Sequence, residues 1–355
     1  MMATRMTEFP RMMATRMIEF PCTQAAGSSA PELFTSMMGV FAVKNDVGIG
    51  TIVGSAVFNL CCIIGGTALF TPTVLVIDWK PITRDTFFYG ISIAAMIYVL
   101  AGGMVTMTEA VFMILFYFVY VLFMYYNTQL MDAVSRCCGE DTSDKVGGGE
   151  GDDKEEAEEE EEEEGEDSPV ASAIAQPLQL LFQVTIPDCS KPENKNYYLL
   201  TFFMSIIWIG ILSYFMVTWA SKLGCIWNIH PAIMGVTVLA AGTSVPDAIG
   251  SLIVARDGKG DMAVSNAIGS NVFDILLGLG LPWLLSGIIY GDAIIVDDES
   301  LMPLSLILVG TLVAVYAVTL ISGFALTKPV GLIFFSFYFV FVAYNLLHEF
   351  KIISF

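Results

Sequence analysis

Charge is scarce in this chain. Asp, Glu, Lys and Arg make up 15% of its 355 residues, and hydrophobic residues make up 55%. A soluble domain carries about 25% charged residues, so a water-facing globular protein is excluded. Histidine is nearly absent, with two residues, and no Ser-His-Asp set, P-loop or basic nucleic-acid patch appears among so few polar groups. The seven cysteines, Cys22, Cys61, Cys62, Cys137, Cys138, Cys189 and Cys225, form no CxxC pair and no zinc spacing. An enzyme, a nucleic-acid binder and a zinc domain are all set aside, and no cofactor is expected.

What the chain has in quantity is apolar sequence. Runs of bilayer-crossing length, about 20 residues each, lie near 48–70, 86–101, 109–126, 197–219, 231–255, 261–289, 301–321 and 329–347. A shorter piece, 29–43, precedes them. The expected partner is therefore the lipid bilayer. The net charge of −20 sits mainly in one place, because residues 132–196 hold 20 of the 36 acids and only 5 of the 16 bases. With Gly147-Gly148-Gly149 and the Glu155–Glu164 run, this stretch reads as a disordered polar loop.

The loops on the same side as that acidic stretch carry Lys80, Arg84, Arg256, Lys259 and Lys328. The opposite side receives Lys44, Lys222 and Lys351 with the acids Asp292, Asp297, Asp298 and Glu299. The bias places the acidic loop in the cytoplasm. Residues 1–24 contain a nearly perfect tandem copy of an eleven-residue segment and fit neither a signal peptide nor a span. The chain thus divides into residues 1–24, a first membrane region 25–126, the loop 127–196 and a second membrane region 197–355.

A motif near the start returns in the second half. Ala25-Ala26-Gly27-Ser28-Ser29-Ala30-Pro31-Glu32 is matched by Ala240-Ala241-Gly242-Thr243-Ser244-Val245-Pro246-Asp247, and 12 of 35 pairs in the ungapped 25–59 and 240–274 segments are identical. The register pairs Ser36 with Ser251, and Gly54-Ser55-Ala56-Val57-Phe58-Asn59 with Gly269-Ser270-Asn271-Val272-Phe273-Asp274. Counting spans between the copies gives an odd number, so the repeats face opposite ways. The expected fold is all-α, a polytopic membrane protein of two inverted repeats of about five helices.

Glu32 and Asp247 stand in apolar segments, where a charged side chain costs a few kcal/mol. Gly27 with Pro31, and Gly242 with Pro246, are expected to break the helices beside them. Backbone broken at membrane depth is tolerated only around a cavity or an ion, and carboxylate, hydroxyl and carbonyl oxygens suit Ca²⁺. Ser55 and Asn59, like Ser270 and Asp274, are four residues apart and share a helix face, so they can complete an oxygen cage. Gly54 and Gly269 are expected to let helices approach closely. Three carboxylates, Glu32, Asp247 and Asp274, can balance one divalent and one monovalent cation.

These paired motifs resemble the α-1 and α-2 repeats of the sodium/calcium exchanger superfamily, and the acid at Asp274 resembles its potassium-dependent branch. The resemblance covers about residues 25–355. It implies export of Ca²⁺ and K⁺ against Na⁺ by alternating access, in service of calcium homeostasis. It also implies Ca²⁺/Na⁺ ligation by Glu32 and Asp247, by the hydroxyls Ser28, Ser29, Thr243 and Ser244, by the Ala25 and Ala240 carbonyls, and by Ser55, Asn59 and Ser270. Asp274 corresponds to the K⁺ position. The plasma membrane is expected, with an endomembrane as the alternative, and a homo-oligomer is left open.

One stretch departs from the pattern. Pro231–Leu239 forms an apolar half-helix leading into the second motif, whereas Arg16–Gln24, in register with it, is polar and proline-broken. The sequence therefore reads as N-terminally truncated. The rival readings are a K⁺-independent or proton-coupled exchanger, and a truncated isoform that interacts without transporting.

Overall fold

A computed structural model describes residues 29–43, 47–72, 74–137, 176, 180–182, 184–186, 198–291, 294–295 and 298–349. The tandem N-terminal segment, the sites at Ala25, Gly27 and Ser28, and most of the acidic loop lie outside these residues. The described residues fall into two compact units, one ending at Met124 and resuming at Ile209, the other between Tyr125 and Trp208. In the second unit the Trp208 Nε1 donates to Thr185 Oγ1 at 2.8 Å, and its ring meets Phe182 edge-on.

The first unit carries the repeats. Helix α1 (Ala30–Met38) runs into a π-helical stretch, Gly39–Val43, and α2 (Val47–Phe58) follows. A π stretch, Asn59–Ile63, links α2 to α3 (Ile64–Phe70), making one 24-residue span. Strand β1 (Leu75–Val76), helix α4 (Trp79–Leu100), strand β2 (Met104–Val105) and helix α5 (Met107–Cys137) complete the first half. Asp78 caps α4 by accepting from the Lys80 N–H at 3.1 Å, so the helix starts earlier than its apolar run.

The second half repeats the order. It begins with α6 (Tyr198–Trp227), α7 (Pro231–Met234), a π stretch Gly235–Leu239, α8 (Ala240–Thr243) and α9 (Val245–Arg256). Then come α10 (Gly260–Phe273), a π stretch Asp274–Leu279, α11 (Gly280–Tyr290), β3 (Ile294–Ile295), α12 (Asp298–Ile321), β4 (Ala325–Leu326) and α13 (Lys328–Glu349). Among the described residues six helices are long and apolar enough to cross a bilayer. The pair Gly235–Thr243 and Val245–Arg256, bent by 48°, makes a seventh. The run expected near 231–255 is thus a broken span.

Strand pairing reveals the symmetry. β1 pairs antiparallel with β4, and β2 with β3. Exchanging the two halves turns one pair into the other, as a two-fold operation requires. The pairs lie at opposite ends of α4, whose 22 residues span about 33 Å. The turn before α10 sits at the β1·β4 end, where the Asp78 N–H donates to Asp261 at 2.7 Å. The π stretch before α2 sits near the other end, where Phe41 meets Tyr290, just before β3. The spans α2–α3 and α10–α11 therefore run in opposite directions. The inverted repeat inferred by counting is present in space.

The core is built where these spans cross, from Ile52, Leu60, Tyr89, Ile93, Met96, Ile275 and Leu276. The outer faces keep large apolar groups exposed, among them Phe118, Trp219 and Phe339, which suits contact with lipid. Gly54 lets α2 cross the Gly235–Leu239 stretch backbone to backbone: a Cβ there would lie 2.3 Å from the Val236 carbonyl oxygen. Gly235 is equally pressed, 2.5 Å from the Val47 oxygen by the same measure. Gly269 differs from the expectation. The nearest described atom to a Cβ there is the Tyr120 hydroxyl at 3.6 Å, an ordinary contact. Its counterpart of the Val236–Ala240 wall is residues 21–25, outside the described residues.

Candidate cation site

The two motif acids open their helices in the same way. Glu32 is in the first turn of α1 behind Ser29 and Pro31, and Asp247 is in the first turn of α9 behind Ser244 and Pro246. Ser29 (φ −87°, ψ 8°) and Ser244 (φ −86°, ψ 0°) have matching backbone conformations. The carbonyls of Ser29 and Ser244 accept from the N–H groups of Leu33 and Ala248, which are in register. Pro246 has no N–H to give the carbonyl four residues back, Gly242, and this is where the span bends. Gly242 and Pro246 face outward, while Thr243, Ser244 and Asp247 face inward.

The helix is interrupted at Ser244, between Ala240–Thr243 and Val245–Arg256, with a 48° bend, while Gly27 of the first motif lies outside the described residues. The Ala240 carbonyl accepts from the Ser244 N–H at 3.2 Å and from the Thr243 hydroxyl at 3.4 Å, so backbone bonding continues across the bend.

The second pair of polar positions also matches. Asn59 and Asp274 are each the first residue of a π stretch. Widened turns of this kind concentrate at functional sites, because they disturb the helical ladder at membrane depth. Asn59 Nδ2 donates to Ser270 Oγ at 3.2 Å and to Asn271 Oδ1 at 2.9 Å, bridging the repeats. Asn271 Nδ2 in turn donates to the Ala56 carbonyl at 3.4 Å.

All these groups meet in one interior. Ser29, Glu32, Ser55, Asn59, Ala240, Ser244, Ser270 and Asp274 have no exposed surface, Asp247 has 1% and Thr243 has 3%. Ser244 donates to Glu32 Oε1 at 3.4 Å, which joins the two motifs. Glu32 feels the charge of Asp247, and Asp274 feels both. Ser29 stands beside Asp274 without closing a well-aligned hydrogen bond. Ser55 and Ser270 turn their hydroxyls onto carbonyls of their own helices, Ile52 and Ala267.

The electrostatics are lopsided. Among the described residues no basic side chain is among the groups acting on Glu32 or Asp274. Glu32 Oε2, Asn59 Oδ1 and both Asp274 carboxylate oxygens are buried without a hydrogen-bond partner among the described residues. Buried acids left this way demand cations or protons. Among the described residues no three His, Cys, Asp or Glu side chains converge tightly enough to hold one metal ion. Any ion here must therefore draw on hydroxyl, amide and carbonyl oxygens as well, a mixed hard-oxygen set that suits Ca²⁺ and alkali cations.

Sequence reasoning missed four groups around this interior. Asn271 is paired with Ala56 in the register, so the repeat itself carries no signal for it. Tyr89, fully buried on α4, has a hydroxyl without a hydrogen-bond partner among the described residues, in the field of Asp274. Asn266 donates to Ser251 at 3.4 Å, giving a role to a register serine. Asp85, 1% exposed, takes Arg84 Nε at 2.7 Å and the Ser265 hydroxyl.

A sequence profile described as "Sodium/calcium exchanger protein" matches residues 23–126 and 197–347. The chain belongs to the sodium/calcium exchanger family. It is 30% identical to the chicken (Gallus gallus) sodium/potassium/calcium exchanger 2, over 93% of this chain and 71% of that protein. It is 33% identical to human (Homo sapiens) sodium/potassium/calcium exchanger 5, over 93% of this chain and 75% of that one. The Drosophila melanogaster exchanger Nckx30C is 30% identical, and the chain spans 57% of its length. Solved structures of the sodium-calcium exchanger NCX_Mj share the fold. One soaked with Na⁺ and Sr²⁺ gives a TM-score of 0.53 at 19% identity, over 91% of this chain and 85% of that one. Another, soaked with Na⁺ and no Ca²⁺, gives 0.52 at 17% identity over the same shares.

Proposed function

We propose that this chain is a secondary active cation antiporter that moves Ca²⁺ together with K⁺ in exchange for Na⁺. One observation carries the reading. Glu32, Asp247 and Asp274 face one another in the buried crossing of two inverted repeats, with no basic side chain among the described residues acting on Glu32 or Asp274. The charge must come from the cargo. Glu32 and Asp247, with Ser29, Thr243, Ser244, Ser55, Asn59 and Ser270, hold Ca²⁺ or Na⁺, joined by Ser28 and the Ala25 and Ala240 carbonyls. For the Ala240 oxygen this requires the Ser244 and Thr243 hydrogens to yield. Asp274 holds K⁺, a role favoured by the names of the sodium/potassium/calcium exchangers that the chain resembles.

Alternating access follows from the symmetry. A loaded site neutralises the carboxylates, so the repeats can rock around it through a low-dielectric interior, and a partly loaded one resists. Net movement of one charge couples the cycle to voltage at about 2.3 kcal/mol per 100 mV. With the acidic loop in the cytoplasm and the plasma membrane as its location, inward Na⁺ drives Ca²⁺ outward and serves calcium homeostasis.

The test is Na⁺-gradient-driven uptake of radiolabelled Ca²⁺ into cells expressing the chain, with K⁺ or Li⁺ as the accompanying cation. Uptake requiring both the gradient and K⁺ is expected. Uptake indifferent to K⁺ would refute the assignment of Asp274. Absence of uptake with the protein inserted in a membrane would refute transport by this chain alone.

A further inference from the structure

Away from the ion site, a cleft opens where the first repeat carries smaller side chains than the second. A cleft of about 350 Å³ lies between α3, α9 and α13, walled by Cys62, Gly66, Thr67, Leu252, Phe335 and Tyr338. Its walls are almost wholly apolar. Phe70, Ile249 and Phe339 also line it and are 60%, 55% and 66% exposed. These three belong to spans, so the cleft opens on the outer flank of the helices, the side that meets hydrocarbon.

Its cause is legible in the register. Adding 215 carries Cys62, Gly66 and Thr67 onto Leu277, Leu281 and Pro282. Two neighbouring contacts match between the halves. Gly65 presses against Phe335 and Phe334, and its counterpart Gly280 presses against Ile114 and Met113. Phe58 meets Tyr338 edge-on at 5.4 Å, and Phe273 meets Tyr117 edge-on at 5.5 Å. Only the first repeat has small side chains where the second has two leucines and a proline. A Cβ at Gly66 would find just the Phe70 ring, at 3.9 Å.

We propose that this cleft holds one acyl chain of a bilayer lipid. An apolar void does not fill with water, and left empty it forfeits the dispersion contacts of its lining. A site open to the hydrocarbon layer meets acyl chains at higher concentration than any other apolar molecule. The volume falls at the low end of ligand pockets, about 300–1,000 Å³. The walls also touch the ion site through the backbone, since Phe58 precedes Asn59 and Ala248 follows Asp247, and both line the cleft. The occupant thus wedges the two helices that carry those residues. The inference rests on the membrane fold and stands whichever ions are carried.

The test uses the full chain in phosphatidylcholine vesicles doped with a phosphatidylcholine bearing a diazirine in mid-chain, followed by peptide mapping after illumination. Adducts are expected to concentrate on the peptides of Thr67, Leu252 and Tyr338, above those on the ordinary lipid-facing residues Phe118 and Leu122. Gly66→Leu fills the cleft from one wall without meeting backbone, and Leu252→Trp fills it from the facing wall. Each should cut the cleft adducts about tenfold, the loss produced by removing roughly ten atom-pair contacts, with α5 adducts unchanged. Cleft adducts no denser than those on α5, or unaltered by both variants, would overturn the proposal.

Discussion

Gly54→Ala is the smallest change that tests how the two repeats are held together. In an ordinary helix it would stabilise, since Ala is favoured over Gly by about 0.5–1 kcal/mol. Here the added Cβ would stand 2.3 Å from the Val236 oxygen, 2.6 Å from Val236 Cα and 2.7 Å from the Ala240 Cβ. Ordinary contact begins at 3.4 Å, so backbone must recede by about 1.1 Å. It cannot slide along the crossing, because Gly235 already presses on Val47 from the other side. Overpacking of this kind costs about 1–3 kcal/mol, reversing the helix-propensity sign.

The same displacement separates Ser55 and Asn59 from Thr243, Ser244 and Asp247. A misplacement of about 1 Å at a site can cost about 100-fold in rate. The assay pairs the thermal midpoint of the purified protein with the initial rate of Na⁺-driven Ca²⁺ uptake in vesicles. Both are expected to fall. A midpoint that rises, with uptake intact, would refute the close crossing. Gly269→Ala supplies the contrast, with a mild effect expected because its nearest described neighbour is a hydroxyl at 3.6 Å. Equal damage at both positions would show that residues outside those described complete a second crossing.

Three further outcomes are expected. Asp274→Asn should leave Ca²⁺ uptake but remove its dependence on K⁺, read by replacing K⁺ with Li⁺; retained K⁺ dependence would move that ion elsewhere. Glu32→Gln and Asp247→Asn should each abolish uptake with the protein still in the membrane, because the Ca²⁺ charge loses half its nearest balance; substantial uptake in either would remove that acid from the site. Asp85→Ala should lower unfolding stability by about 1–3 kcal/mol, since it strips a buried partner from Ser265 and from Arg84, which is 20% exposed. Asp85→Asn should recover part of that loss, and equal losses in both variants would show that the contacts contribute little.

The membrane class, the repeat and the two motif acids were legible in the chain because they are local facts. Long apolar runs admit little besides a bilayer, and a proline beside an acid in an apolar segment is informative wherever it stands. The inverted relation followed from counting. The closeness of Gly54 was expected from residue type alone, and so was that of Gly269, yet of these two only Gly54 is crowded by described residues. Residue type permits a close crossing but does not supply the facing helix.

The tertiary structure decided what depends on partners 180 or more residues away. Asp85 reads as an end-of-span charge until Ser265 arrives beside it, and Asn271 as a surface-neutral amide until Asn59 reaches it. The π stretches at Asn59 and Asp274, the swapped strand pairs and the cleft beside Gly66 have the same origin. Each arises where two helices, placed by the fold of the whole membrane region, leave or fill a space. Sequence periodicity specifies which side chains must be buried, but the oxygen or carbon they meet there is chosen by the packing.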